Sequence, residues 1–154
     1  MGADIYYEGP HYKEEKKLWE ALQAVEDPDA KERLHLLWKK SYDQLEAEDY
    51  FRDSYNNTSV FWQMGLSWWA DVGKVTDEDG RLPISEALLL RKYIEKHPIT
   101  REGITWEDCE TKQPVILTEK DRTDWFDYFE KKREDFLKML DRSIDNNSPL
   151  ICSV

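Results

Sequence analysis

The chain lacks most of the features that assign a small protein to a functional class. It has two cysteines, Cys109 and Cys152, without the CxxC spacing of redox or zinc sites, and its three histidines are too far apart in sequence to suggest a metal site. No phosphate-binding loop, dinucleotide fingerprint or nucleophile elbow occurs. These absences argue against a disulfide scaffold and a recognisable enzyme, and they lead us to expect no cofactor and no metal.

Long apolar runs are missing as well. Residues 1–10 have neither the basic region nor the apolar core of a signal peptide, and the longest apolar stretches are too short to cross a bilayer. We therefore expect a single domain, residues 1–154, in the cytoplasm, with no membrane partner.

Positive charge is scarce, since 22 Lys and Arg face 33 Asp and Glu and the net charge is −11. The excess acid lies in three segments, 43–53, 71–86 and 102–110. Direct binding to nucleic acid is not expected, because phosphate contacts need clustered cations. The acidic segments suit a basic protein partner or mimicry of a phosphate backbone, although ordinary solubility also explains such charge.

Aromatic residues are abundant: seven Trp, eight Tyr and five Phe supply the apolar area for a core. Apolar spacings of three and four, with Pro and Asx start signals, predict helices at 13–25, 28–48, 58–71, 85–96 and 118–145. Short extended segments at 3–7 and 150–154 could pair. The expected fold is mostly α, a bundle of four to five helices with a small two-stranded pairing of the termini.

The aromatic segment 50–72 is the candidate site. We interpret 50–57 as a break before a helix that is apolar on nearly every side. A small-molecule pocket requires groups of this kind: a guanidinium that binds carboxylate or phosphate with two N–H groups, an amide and several aromatic rings. The candidate ligand-binding residues are Arg52, Asp53, Tyr55, Asn56, Trp62, Trp68 and Trp69. The alternative is a structural polar knot, in which the polar groups bond within the fold and cap the next helix.

An acidic turn at 77–86 partly matches a calcium-binding loop. With Gly80 as the sixth position, Asp77, Asp79 and Glu86 fall at the third, fifth and twelfth positions. However, Val75 replaces the first carboxylate and Pro83 stands at the ninth position. An ordinary acidic turn is therefore the better interpretation.

Four short stretches resemble a group of uncharacterised small bacteriophage and prophage proteins: MGADIY at 1–6, YFRDSYN at 50–56, LSWWADV at 66–72 and PLICS at 149–153. The resemblance implies a phage setting, in which small acidic proteins often inhibit host machinery or defence and some sequester signalling nucleotides. Two functions follow as hypotheses. The first is a non-enzymatic accessory or counter-defence protein that binds a host protein through its acidic surface. The alternative is a small-ligand binder, possibly of a nucleotide, and a hydrolase with an inconspicuous site is a weaker third.

Overall fold

The computed structural model describes residues 2–154 and contains helices and a four-stranded antiparallel sheet. The strands are β1 (Gly2–Tyr7), β2 (Tyr50–Ser54), β3 (Arg81–Leu82) and β4 (Leu150–Ser153), in the order β2–β1–β4–β3. The helices are α1 (Pro10–Ala24), α2 (Pro28–Glu48), α3 (Val60–Gln63), α4 (Ile84–Lys96) and α5 (Glu119–Asp145), with a π-helical turn at Trp68–Gly73.

The mostly helical character is confirmed, but the predicted four- to five-helix bundle is not. The main helix contacts are pairwise, α1 with α2 and α4 with α5, and α5 also contacts the sheet. The expected pairing of the two chain ends is confirmed, with Tyr7 opposite Leu150 and Ile5 opposite Cys152. The sheet nevertheless has four strands instead of two, because β2 and β3 extend it on either side.

Local capping signals place the long helices near their predicted bounds. Asp27 accepts a hydrogen bond from the Ala30 amide at 2.8 Å, and Pro28 follows at the first helical position. At the start of α5, the Thr118 hydroxyl oxygen accepts from the Asp121 amide at 3.1 Å. Such caps satisfy amide groups that have no partner inside the helix, so they are legible in the sequence.

The predicted break at 50–57 is wrong over its first five residues, which form edge strand β2. Phe51 and Asp53 point into the fold while Tyr50, Arg52 and Ser54 point outward, the two-residue alternation of a strand with one buried face. The pattern is hard to recognise in the sequence because one inward residue, Asp53, is a carboxylate.

The predicted helix at 58–71 is also wrong as a single element. Helix α3 ends after one turn, since Gly65 has a φ of +74° in the left-handed region, which a glycine adopts without strain. Ser67 then caps the separate π-helical turn. The core expected of this segment is present in part: Phe61 and Trp68 are buried and stack at 3.5 Å, whereas Trp69 is 63% exposed.

The α1–α2 pair buries less apolar side-chain surface than the spacing of its apolar residues predicts. Of the stripe on α2, Leu45 is buried, but Leu37 remains 55% exposed. In the loop between α4 and α5, the Val115 amide donates to the Trp106 carbonyl at 2.8 Å, and Glu107 and Pro114 form an isolated antiparallel bridge.

Candidate functional site

Asp53 is the centre of a buried polar cluster. Its carboxylate is 3% exposed and accepts four hydrogen bonds: from the Ser59 hydroxyl (2.8 Å), the amides of Val60 (3.0 Å) and Phe61 (3.2 Å), and the indole N–H of Trp68 (2.8 Å). The bonds join β2 to the start of α3 and to the core tryptophan. For Asp53 and Trp68, this arrangement is the structural polar knot that the sequence left as the alternative.

Arg52, the next residue towards the N-terminus, is in a different environment. Its side chain is 57% exposed and its Nη1 lies 3.5 Å from Asp4 Oδ1. It stands at the edge of the sheet, beside a groove of about 600 Å³ between β2 and α5. We call this the cationic groove, because its charged lining residues are five cations and two acids: Arg52, Lys131, Lys132, Lys138 and Arg142 against Glu48 and Asp135.

Lys132 anchors α5 to the sheet edge. Its ammonium donates to the Arg52 carbonyl and lies 5.0 Å from the ring centroid of Phe51 and 5.8 Å from that of Tyr128. Burial lowers the pKa of the Lys132 amine. Arg52 and Lys132 also line a smaller pocket of about 200 Å³ that reaches Asp53. A cation held at a strand edge protects the unpaired backbone from pairing with another chain.

The other cations of the groove differ in how far they are already engaged. Arg142 donates to Asp49, a fully buried carboxylate, and its guanidinium lies 4.3 Å from the Tyr7 ring centroid. Lys131 pairs with Asp135 at 2.7 Å. Within residues 2–154, the ammonium of Lys138 makes no ion pair. Lys138 and the weakly paired Arg52 are therefore the groups most available to a ligand.

Four of the predicted site residues line a separate groove. Tyr55, Trp62, Trp68 and Trp69, together with Leu66, Ser59, Ser67 and Val154, surround a volume of about 460 Å³ that we call the aromatic groove. The tryptophans thus do not wall the same cavity as Arg52, contrary to the prediction. The chain turns after β2, which sends Arg52 and Tyr55 to different surfaces.

Asn56 lines neither groove. Its side-chain oxygen accepts from the Thr58 amide at 3.0 Å, the Thr58 hydroxyl at 2.8 Å and the Ser54 hydroxyl at 3.1 Å. These bonds close the turn that follows β2. The residue therefore has a local structural role in addition to any other.

The sequence interpretation missed the cations of α5. Lys131, Asp135, Lys138 and Arg142 recur at spacings of four, three and four, which places them along one side of the helix. Lys132 falls on the apolar row of Phe129 and Phe136. A lysine on a buried row indicates that this side of the helix meets another element at a polar site, and this signal was present in the sequence. The row alone does not show which strand the lysine meets.

No protein-family model, curated protein sequence or solved structure matches the chain. The resemblance to small bacteriophage proteins therefore stays a prediction, and function has to be argued from geometry.

The acidic turn after the π-helix is organised by hydrogen bonds of its own. Asp77 Oδ1 accepts from the amides of Asp79 (2.9 Å) and Arg81 (2.8 Å), and Arg81 pairs with Glu8 at 2.9 Å. In the part of the chain that the structure describes, no group of three or more His, Cys, Asp or Glu side chains is placed to hold a metal ion. Over the same residues, no helix is both long and apolar enough to traverse a bilayer.

Proposed function

We propose that the protein is a binding protein that holds an anionic small molecule carrying phosphate groups, such as a nucleotide, in the cationic groove. One observation supports this most directly: five cations face two acids around a single groove, on a chain whose net charge is −11. Five of the 22 Lys and Arg residues of the chain therefore line this one groove. Such a local reversal of sign attracts anions even where the overall charge repels them.

The chemistry of the lining fits phosphate. Arg52 presents a guanidinium, whose planar fork matches two phosphate oxygens, and Lys138 adds a mobile point charge. Tyr50, which is partly exposed in the same lining, supplies ring surface on which a base could stack. The groove volume of about 600 Å³ is within the range of ordinary ligand sites. Binding by these groups needs no catalytic residue.

Calorimetric titration with ATP, pyrophosphate and citrate tests the proposal. The R52Q/K138Q variant removes two groove charges, and K17Q/K92Q removes the same charge from the exposed surfaces of α1 and α4. Loss of a charge-assisted contact costs roughly tenfold in Kd, so the groove variant should bind ATP at least roughly tenfold more weakly. The control should bind as the parent does.

Equal weakening in both variants would mean that only overall charge matters, and absence of binding by all three compounds would reject the proposal. Citrate separates phosphate recognition from general attraction to anions. Binding of ATP and pyrophosphate but not citrate supports phosphate specificity. Binding of all three at equal strength contradicts it.

A second candidate function is binding of a basic protein, and the loop between α4 and α5 favours it. Ile116 is 94% exposed and Val115 42% exposed, in a loop that also presents Glu107, Asp108 and Glu110 at the surface. An apolar contact surrounded by charge is the usual anatomy of a protein interface. Hydrogen bonds to its carboxylate lower the pKa of Asp108 and keep it charged, and the bond from the Thr111 amide has the largest effect. In the phage setting that the resemblance implies, this partner is a host protein in the host cytoplasm and the role is counter-defence.

Pull-down from host lysate at low and high salt tests this second candidate. The I116D variant should lose a partner that the parent protein retains and that salt releases. L36D is the matched control, since Leu36 is 64% exposed on α2 and far along the chain from the loop. If both variants retain the same partners as the parent, the loop is not the interface.

A further inference from the structure

The aromatic groove presents more ring surface than a folded chain normally leaves uncovered. Trp69 is 63% exposed and Tyr55 45% exposed, Trp62 is partly buried, and the buried Trp68 lies beneath them. Isolated apolar residues are common on surfaces, but clustered rings around one depression mark a contact site. The groove is separate from the cationic groove, so what it binds is a question independent of the function proposed above.

The hydrogen-bonding groups of the groove restrict what it can bind. Within residues 2–154, the Tyr55 hydroxyl and the indole N–H groups of Trp62 and Trp69 have no hydrogen-bond partner, whereas the indole of Trp68 is bonded to Asp53. An indole N–H is a donor and never an acceptor. The groove therefore suits a ligand that is apolar in shape and carries unpaired carbonyl oxygens.

The backbone of the groove excludes one common mode of peptide binding. Its lining residues, numbered 55, 59, 62, 66–69 and 154, all lie outside the four strands, so no strand edge lines the groove for a peptide to extend the sheet there. A helical ligand pairs its own carbonyls internally, except at its last turn. A polyproline II segment instead has no internal hydrogen bonds, leaves every carbonyl free and packs its rings against aromatic side chains.

Charge at the rim favours a cationic residue beside the proline segment. The Asp71 carboxylate accepts from the Ser67 amide at 2.6 Å, which places an exposed acid at one side of the groove. The Lys74 ammonium lies 5.4 Å from the Trp69 ring centroid, a contact within the chain that a flanking cation of the ligand would have to displace.

We propose that the aromatic groove formed by Tyr55, Trp62 and Trp69 is a docking site for a basic, proline-rich peptide segment in the polyproline II conformation. The rings hold the prolines, the hydroxyl and indole N–H groups bind the peptide carbonyls, and Asp71 at the rim binds a flanking arginine or lysine.

Fluorescence anisotropy of a labelled peptide tests this proposal. The probe has about ten residues, mostly proline, with two arginines at one end. Tyr55→Ala and Trp69→Ala should each weaken binding roughly tenfold, as expected for aromatic anchors at an interface. Both residues are exposed and outside the buried core, so neither substitution removes core packing. Trp19→Ala is the matched control, because Trp19 is 44% exposed on α1 and should leave the Kd unchanged.

Two further peptides separate shape from charge. Replacing every proline by alanine removes the preformed conformation and should abolish measurable binding, while replacing both arginines by glutamates should weaken it about threefold at low salt. The proposal is overturned if the proline peptide does not bind at about 1 mM, if the alanine peptide binds as tightly, or if Trp19→Ala weakens binding as much as Trp69→Ala.

Discussion

Substituting Asp53 should destabilise the protein more than any other change at a single acid. The carboxylate is 3% exposed and satisfies four donors, from Ser59, Val60, Phe61 and Trp68. A buried donor without an acceptor costs about 1–3 kcal/mol, and the four costs do not add fully because the site can relax or admit water. We expect Asp53→Ala to lower the free energy of unfolding by about 4 kcal/mol. A domain with a typical stability of about 5–15 kcal/mol would then be marginal.

Asp53→Asn separates the hydrogen bonds from the packing. An amide oxygen in place of Oδ2 still accepts from Ser59, Phe61 and Trp68, while the amide nitrogen in place of Oδ1 faces the Val60 amide. One lost bond and one pair of opposed donors should cost about 2 kcal/mol. Asp127→Ala is the control, since Asp127 is exposed on α5 and should change stability by less than about 0.5 kcal/mol.

Urea denaturation followed by tryptophan fluorescence and by circular dichroism measures these differences. The dependence of the unfolding free energy on urea concentration should be the same for all variants. The same assay tests coupling between two residues. The losses in unfolding free energy caused by Trp68→Phe and Asp53→Ala should be less than additive in the double variant, because both changes remove the same hydrogen bond. The reasoning is refuted if Asp53→Ala matches Asp127→Ala, since that outcome would mean that the four donors find other acceptors at no cost.

Three other predictions concern titratable groups. Burial, followed by its hydrogen bond to Asp4, raises the pKa of Tyr50 to about 12, and the pKa values of Tyr6, Tyr12 and Tyr42 are raised as well. The protonated tyrosines therefore contribute to the free energy of unfolding below pH 10, and this contribution is lost as the pH rises towards 12. Urea midpoints should fall across that interval, and a flat profile would contradict the prediction. Burial raises the pKa of the Cys152 thiol to about 12, so iodoacetamide should label Cys109 in the native protein and Cys152 only after unfolding; native labelling at both would contradict the structure. Arg142→Met leaves buried Asp49 without its cation and should cost about 2–3 kcal/mol by the same urea assay, whereas Lys138→Met should cost almost nothing; equal costs would exclude this role.

The elements that the sequence predicts well are those set by local signals. Helix α5 has Thr118 as its cap and Asn146 just past its end, and α2 has Asp27 and Pro28, so both could be bounded without knowledge of their neighbours. Pairing of the chain ends was predictable from two short apolar segments. The helix bounds depend on residues that are adjacent along the chain.

The segment from Tyr50 to Gly73 was harder to predict because distant contacts decide its conformation. Strand β2 carries an acid on its buried face, which is stable only because Ser59 and Trp68 reach it from later elements. Gly65 ends α3 by a positive φ that composition does not reveal.

The cationic groove joins residues that are even farther apart in the sequence. It brings Arg52 together with Lys132, which are 80 residues apart in the sequence. A sequence without aligned relatives shows that each residue is charged, but not that they meet at one surface. Arg52 was identified as a candidate and its partners on α5 were not.

The most direct test of the proposed ligand site is a ¹⁵N–¹H correlation spectrum recorded as ATP is added. We expect shifts that saturate and that concentrate in the backbone amides of 50–52 and of the residues between 131 and 142 that line the cationic groove. Shifts confined to other surfaces, or an unchanged spectrum at about millimolar ATP, would contradict the proposal that this groove binds a phosphate-bearing ligand.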